Sequence, residues 1–166
     1  MHFRFEHDFD IEPAPYWDLF FSEDYNVDLY RQLKMKDRVV LEQREDGNLL
    51  KRSVRFSPEE EIPAVFRSVI KDLGYTERDV FDRARSSMEV VIEPELMKSK
   101  FDFRGVYSVR PSGSGKCKRL FEGDIKVSIM LIGGQIEKYM IDRLRTSYDI
   151  AADVTRRWIE KKKQPA

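Results

Sequence analysis

At 166 residues the chain is long enough to bury a substantial core in one domain without disulfide or metal staples. Its 30 basic and 30 acidic residues cancel, which excludes the overall positive field of a nucleic-acid binder, and 41% hydrophobic with 36% charged residues excludes a disordered chain. The single cysteine, Cys117, excludes an internal disulfide, and no run supplies a signal-peptide core or the roughly 18 apolar residues of a membrane span, so a cytoplasmic protein is expected.

The opening HFRFEHDFDI puts Phe3, Phe5, His7, Phe9 and Ile11 on one side and Arg4, Glu6, Asp8 and Asp10 on the other. Such alternation predicts a strand with one buried face. Pro13 and Pro15 stop it, and Pro15 suits the first turn of a helix. PYWDLFFS and YNVDLYRQL then read as two short helices, whose aromatic residues need a surface to pack on. MKDRVVLEQRE and LLKRSVRF are two strands joined at Asp46-Gly47, a strong hairpin signal.

From 57 to 74 the strand rhythm breaks, and Val65, Val69 and Ile70 predict a short amphipathic helix after Pro63, ended by Gly74. Strands follow at YTERDVFDRA, whose parity is ambiguous because Val80 and Phe81 are adjacent, and at SSMEVVIEPE, with Met88, Val90 and Ile92 on one face. The next strand aligns Phe101, Phe103, Gly105, Tyr107 and Val109. After the loop PSGSGK the last one aligns Cys117, Arg119, Phe121, Gly123, Ile125, Val127 and Ile129. A long helix is expected from Gln135 to Lys162, with an apolar stripe of Ile136, Met140, Leu144, Ala151, Val154 and Trp158 and with Ser147 among them. The double glycine Gly133-Gly134 lets the chain leave the last strand and turn back over the sheet. The organisation is thus one domain over 1–163 and a disordered tail over 164–166.

Two motifs are dismissed. RPSGSGKCK has Arg110 where a phosphate-binding loop needs its first glycine and Cys117 where it needs a hydroxyl, and it joins two strands instead of opening a helix. His2 and His7, the two histidines, fall on opposite faces of one strand and cannot share a metal, so neither metal nor cofactor is expected. No nucleophile–base arrangement can be assigned to Cys117.

The order of strand, two short helices, antiparallel meander and long terminal helix resembles the helix-grip fold of the START-like superfamily, which includes lipid-transfer domains, aromatase/cyclases and plant pathogenesis-related ligand binders. LFFSEDYNVDLYRQL, EGDIKVSIMLIGGQIEKYMI and SYDIAADVTRRWI are most similar to a bacterial START-like family of unknown function. The resemblance implies an α+β fold with a curved antiparallel sheet of six or seven strands. It also implies a cavity for a hydrophobic small molecule or lipid between that sheet and the terminal helix, often gated by a loop.

Phe5, His7, Phe103, Tyr107, Arg119, Phe121, Ile136, Met140 and Ser147 are the candidate cavity residues, and Val65, Phe66, Val69 and Ile70 the candidate gate. The same aromatic residues equally suit an ordinary core. His7 is either a satisfied core histidine or a hydrogen-bond partner for a ligand's polar end. Arg119 is expected at the sheet's rim; inside, it needs an anionic ligand group or a carboxylate such as Asp82. Non-enzymatic ligand binding is the leading expectation. The alternatives are a cyclase or hydratase using His7 and Tyr107, and a protein-interaction module with a filled core that exposes Val65 to Ile70; a transient membrane or protein contact is the further partner expectation.

Overall fold

The computed structural model describes residues 1–164; of the expected tail, 165–166 lie outside the described residues. The chain runs β1 (His2–Phe9), α1 (Pro13–Phe20), α2 (Glu23–Gln32), β2 (Met35–Asp46), β3 (Leu49–Pro58), β4 (Tyr75–Asp82), β5 (Ser87–Pro94), β6 (Phe101–Gly113), β7 (Lys116–Val127) and α3 (Gly133–Lys163). The seven strands form one antiparallel sheet in the order β1-β7-β6-β5-β4-β3-β2. It is the expected α+β architecture, with α3 laid across the sheet.

Cross-strand register explains how the alternating sequences build one inner face. Phe5 sits opposite Phe121, which sits opposite Tyr107; Tyr107 faces Met88, Met88 faces Phe81, and Phe81 faces Leu50. A second row runs Phe3, Gly123, Gly105, Val90, Asp79, Arg52. The glycines in that row are demanded by close approach. A Cβ on Gly123 would lie 2.1 Å from the Arg104 carbonyl oxygen, and one on Gly105 would lie 2.7 Å from the Phe121 ring, so the sheet bends sharply there with an aromatic ring folded over the gap. The parity left open on β4 resolves with Tyr75, Glu77, Asp79 and Phe81 inward and Val80 outward. β2 is an edge strand, exposed along nearly its whole length, and charged residues flank its exposed Val39, Val40 and Leu41.

α1 begins at Pro13 with both prolines in its first turn, where a missing N–H costs nothing. The buried Asn26 side chain closes the corner to α2 by donating to the Phe20 and Ser22 carbonyls at 2.9 and 2.7 Å. Tyr25 on α2 meets Thr155 on α3 through a 2.8 Å hydroxyl pair. The face that α3 buries differs from the expected stripe: Ile136, Ile141, Ala152, Val154, Thr155 and Ile159 are fully packed, whereas Met140, Leu144, Ala151 and Trp158 are half-buried. A helix of 31 residues crossing a twisted sheet rotates its contact line, so no straight stripe stays inward.

Two other local expectations need correction. Residues 57 to 74 form a single 3₁₀ turn, Ala64–Phe66, and no amphipathic helix. Pro58, Pro63 and Gly74 leave too few residues for a stable helix, and the apolar side chains split their packing, Phe66 inward and Val65 into solvent. At the β7–α3 junction Gly133 is required, since a Cβ there would lie 2.2 Å from the Val127 carbonyl oxygen, but Gly134 meets nothing. The left-handed residue that makes the turn is Leu131, at φ 70°, and neither glycine.

Candidate functional site

Between the sheet and α3 lies a cavity of about 200 Å³. Ile136, Tyr139, Met140, Arg143, Leu144 and Ser147, spaced three or four apart on α3, form its roof. Its floor is Tyr75, Ile92, Phe101, Phe103 and Val127, and its outer wall includes Leu33, Met35, Ile70 and Leu73. Glu60, in the segment after β3, pairs with Arg143 at the mouth, and Asp72 and Met97 also border it. The walls are mainly apolar with a few placed polar groups, the usual composition of a small-molecule site.

Of the expected cavity residues, Phe103, Ile136, Met140 and Ser147 line this space. Phe5, His7, Tyr107, Arg119 and Phe121 do not, because α1 fills the other half of the interval with aromatic rings. Trp17 packs on Phe81 at 4.4 Å, Phe121 stacks on Tyr148 at 4.7 Å, and the Tyr16 and Tyr107 hydroxyls bond at 2.9 Å. Trp17 also donates to Ser86 Oγ at 2.8 Å. Phe103 stands at the boundary, stacked on Phe3 at 5.4 Å while forming cavity floor. Among the expected gate residues Ile70 borders the cavity, Phe66 packs on Tyr139 at 5.5 Å, Val69 packs against the core and Val65 is 62% exposed.

Arg119 is fully buried, contrary to a position at the rim, and no carboxylate among the described residues touches its guanidinium. It donates to His7 Nδ1 and to the Tyr148 carbonyl, each at 3.0 Å, and to the Tyr16 hydroxyl at 3.4 Å, and its plane meets the Phe9, Tyr107 and Tyr148 rings. Asp82 is not its partner; it caps the β4–β5 turn by accepting from the Ala84 and Arg85 N–H groups. An arginine has no acceptor, so His7 Nδ1 must accept and Nε2 carries the proton, donating to Asp149 Oδ1 at 2.9 Å. Burial, and then the Arg119 charge, lower the His7 pKa. Burial pushes the Cys117 thiol up to about 11, which leaves it unreactive.

One group of buried charges escaped the sequence reading. Asp79 Oδ2 accepts from Arg52 Nε and Nη2 at 3.0 and 2.7 Å, and its buried carboxylate also lies within hydrogen-bond reach of the Glu77 carboxyl. Glu77 shares that face two residues earlier, opposite Ile92 of the cavity floor. Burial and the Asp79 charge push the Glu77 carboxyl up to about 8, so Glu77 holds the pair's proton and Asp79, bonded to Arg52, keeps the negative charge. The signal was available in principle: in YTERDVFD the odd positions are Tyr75, Glu77, Asp79 and Phe81, but charges at two of four inward positions mask the alternation.

A family model described as protein of unknown function (DUF2505) matches residues 4–159. The fold is shared with TTHA0849 from Thermus thermophilus, at TM-score 0.69 and 12% identity over 99% of this chain and 100% of that one. It is shared equally with the Zhui aromatase/cyclase from Streptomyces sp. R1128, at TM-score 0.70 and 10% identity over 99% and 96%. Norcoclaurine synthase from Thalictrum flavum, solved in complex with dopamine and hydroxybenzaldehyde, matches at TM-score 0.67 and 15% identity over 99% and 89%. The chain therefore has the START-like helix-grip fold. No curated protein matches it by sequence. No helix among the described residues is long and apolar enough to cross a membrane, and no group of three or more His, Cys, Asp or Glu among them is placed to hold a metal ion.

Proposed function

The chain belongs to the DUF2505 family, whose model spans residues 4–159, and from its helix-grip fold and apolar cavity we propose that it binds a hydrophobic small molecule between the sheet and α3. The observation that carries this reading is the cavity itself. A well-packed core leaves few voids larger than a water molecule, whereas this one keeps about 200 Å³ beneath a helix whose inner face carries the small Ser147. An apolar cavity of about 150 Å³ holds benzene, so the space suits one aromatic ring with a short substituent, or the end of a longer chain emerging at the mouth. Solved proteins of this fold include the aromatase/cyclase and the synthase named above, the latter in complex with two small aromatic molecules.

A carrier or sensor fits better than a cyclase or hydratase. His7 and Tyr107, the catalytic candidates, lie outside the cavity, and their polar atoms are engaged by Arg119, Asp149 and Tyr16. A membrane or protein contact through Val65 to Ile70 finds little support, since of Val65, Phe66, Val69 and Ile70 only Val65 is exposed. The test is native mass spectrometry of gently purified protein, followed by organic extraction and by titration with benzene-sized probes. A bound apolar mass, or a saturable probe, is the expected result. A protein that carries nothing and takes up no probe rejects the reading.

A further inference from the structure

Two loops stand together at the end of the sheet that borders the cavity. The β5–β6 loop carries Leu96 and Met97, both cavity-wall residues, followed by the turn Lys98–Lys100. The β7–α3 loop carries Ile129, Met130, Leu131 and Ile132. The register pair Phe101 and Val127, and a 2.7 Å bond from the Ser128 N–H to the Lys100 carbonyl, hold the loops side by side. Met130 is 86% and Leu131 92% exposed, the highest values among large apolar side chains of the described residues, and Leu96 is also exposed. Each loop holds one apolar residue in the left-handed region, Met97 at φ 64° and Leu131 at φ 70°. That conformation is disfavoured for a residue with a side chain, and the solvent-facing Leu131 gains almost no packing to offset it.

Charge indicates what covers this apolar tip. Lys98 and Lys100 are exposed at its flank, whereas the carboxylates of the adjoining elements are engaged. Glu95 pairs with Arg55, Asp102 with Arg104 and Glu137 with the N-terminal ammonium, and Asp72 accepts from the Gly74 N–H. We infer that the two loops dock on the surface of a bilayer containing anionic lipid. Met130, Leu131 and Leu96 enter the interface, and Lys98 and Lys100 meet the headgroups. A fluid interface receives narrow loop tips without a matching pocket, which a protein partner would have to supply, and it gives the exposed leucine the apolar surroundings it lacks. Because Leu96 belongs both to the exposed tip and to the cavity wall, docking brings the cavity mouth to the bilayer. A ligand then passes between two apolar phases without crossing water. Docking stands on the loops alone; that passage rests on the reading of the cavity as a ligand site.

Flotation of the full chain with vesicles of phosphatidylcholine, alone or mixed with phosphatidylserine, tests this. The expected result is about tenfold stronger binding to the mixed vesicles, weakened by added salt. Met130→Ser combined with Leu131→Gly should remove vesicle binding and keep the fold, since glycine suits the left-handed turn. Lys98→Glu combined with Lys100→Glu should abolish the preference for phosphatidylserine. None of these four residues lines the cavity, so both variants should bind benzyl alcohol as the unaltered protein does. A chain that ignores the mixed vesicles, or whose binding survives Met130→Ser with Leu131→Gly, overturns the inference. Self-association without vesicle binding, lost in that same variant, also overturns it and assigns the tip to a protein partner. A chain that floats but takes up no benzyl alcohol keeps the docking and rejects the cavity reading. Should the Met130–Leu131 variant not fold, the lysine variant decides: unchanged binding to the mixed vesicles rejects the inference.

Discussion

Arg119 and His7 form a part-buried hydrogen bond of 3.0 Å in which the guanidinium donates and His7 Nδ1 accepts. The pair bridges neighbouring strands β7 and β1, where the two residues are register partners, and extends through His7 Nε2 to Asp149 on α3. It ties the sheet edge to the terminal helix by charge and shape, without a carboxylate on the arginine. The bond holds only while His7 is neutral.

The folded pKa of His7 is therefore depressed below its ordinary value of 6.5, with burial as the first cause. The sign follows: the unfolded chain takes up a proton near pH 6.5 that the folded chain refuses, so this contribution to stability is full above 6.5 and is lost as pH falls through the folded pKa. Thermal unfolding between about pH 7.5 and 5 should show the decline, and it should be smaller in His7→Gln. Nitrogen NMR should find the Nε2–H tautomer at neutral pH; an Nδ1–H signal would contradict the geometry.

Glu77 produces the opposite trend. Its folded pKa of about 8 lies above its ordinary value of 4.5, so its contribution is full below 4.5 and is lost as pH rises toward 8. Denaturant titrations from about pH 5 to 9 should show a loss of up to roughly 4 kcal/mol that Glu77→Gln removes. A flat profile in the unaltered protein would place the Glu77 carboxyl in water.

The two adjacent glycines before α3 should respond in opposite directions. Gly133→Ala drives a methyl into the Val127 carbonyl and should cost about 2 kcal/mol or more. Gly134→Ala meets open space within the helix and should stabilise by about 0.5–1 kcal/mol through the loss of unfolded-state freedom. Melting temperatures of the two variants separate these outcomes directly.

Ser147 points from α3 into the cavity, so Ser147→Leu should occupy the ligand's volume without disturbing the sheet. Benzyl alcohol binding should fall at least tenfold while the unfolding free energy stays level or increases, since the change fills a void and buries apolar surface. Retained affinity in a folded Ser147→Leu variant would place the ligand elsewhere.

At the mouth, the Arg143–Glu60 pair joins α3 to the segment that follows β3. Both partners keep substantial exposure, so the pair contributes at most about 1 kcal/mol and Arg143→Ala should barely change stability. It should nonetheless raise the ligand association rate by opening the boundary, which stopped-flow fluorescence would measure.

The fold was legible where one physical rule governed a segment. β1, β6 and β7 alternate cleanly because each has one buried face, and their inward residues fall where parity placed them. On β4 the rule failed because two inward positions carry carboxyls, which no hydrophobic pattern marks. On α3 the stripe drifted because contact follows a twisted surface. Five expected cavity residues lie away from the cavity for a tertiary reason. The aromatic residues of α1 need a surface to pack on, but nothing in their sequence tells which end of the sheet they fill.

The filling is unequal along α3, and this has a kinetic consequence. From Tyr148 onward the helix is stapled by ring stacking on Phe121, by the Thr155–Tyr25 bond and by Trp158 donating to Asp28 at 2.9 Å. Its first turns, from Ile136 to Ser147, rest partly on empty space. Amide protons there should exchange through local opening, while those beyond Tyr148 should wait for global unfolding. The half of the helix that roofs the cavity is thus also the half free to lift, and a bound molecule would be what holds it down.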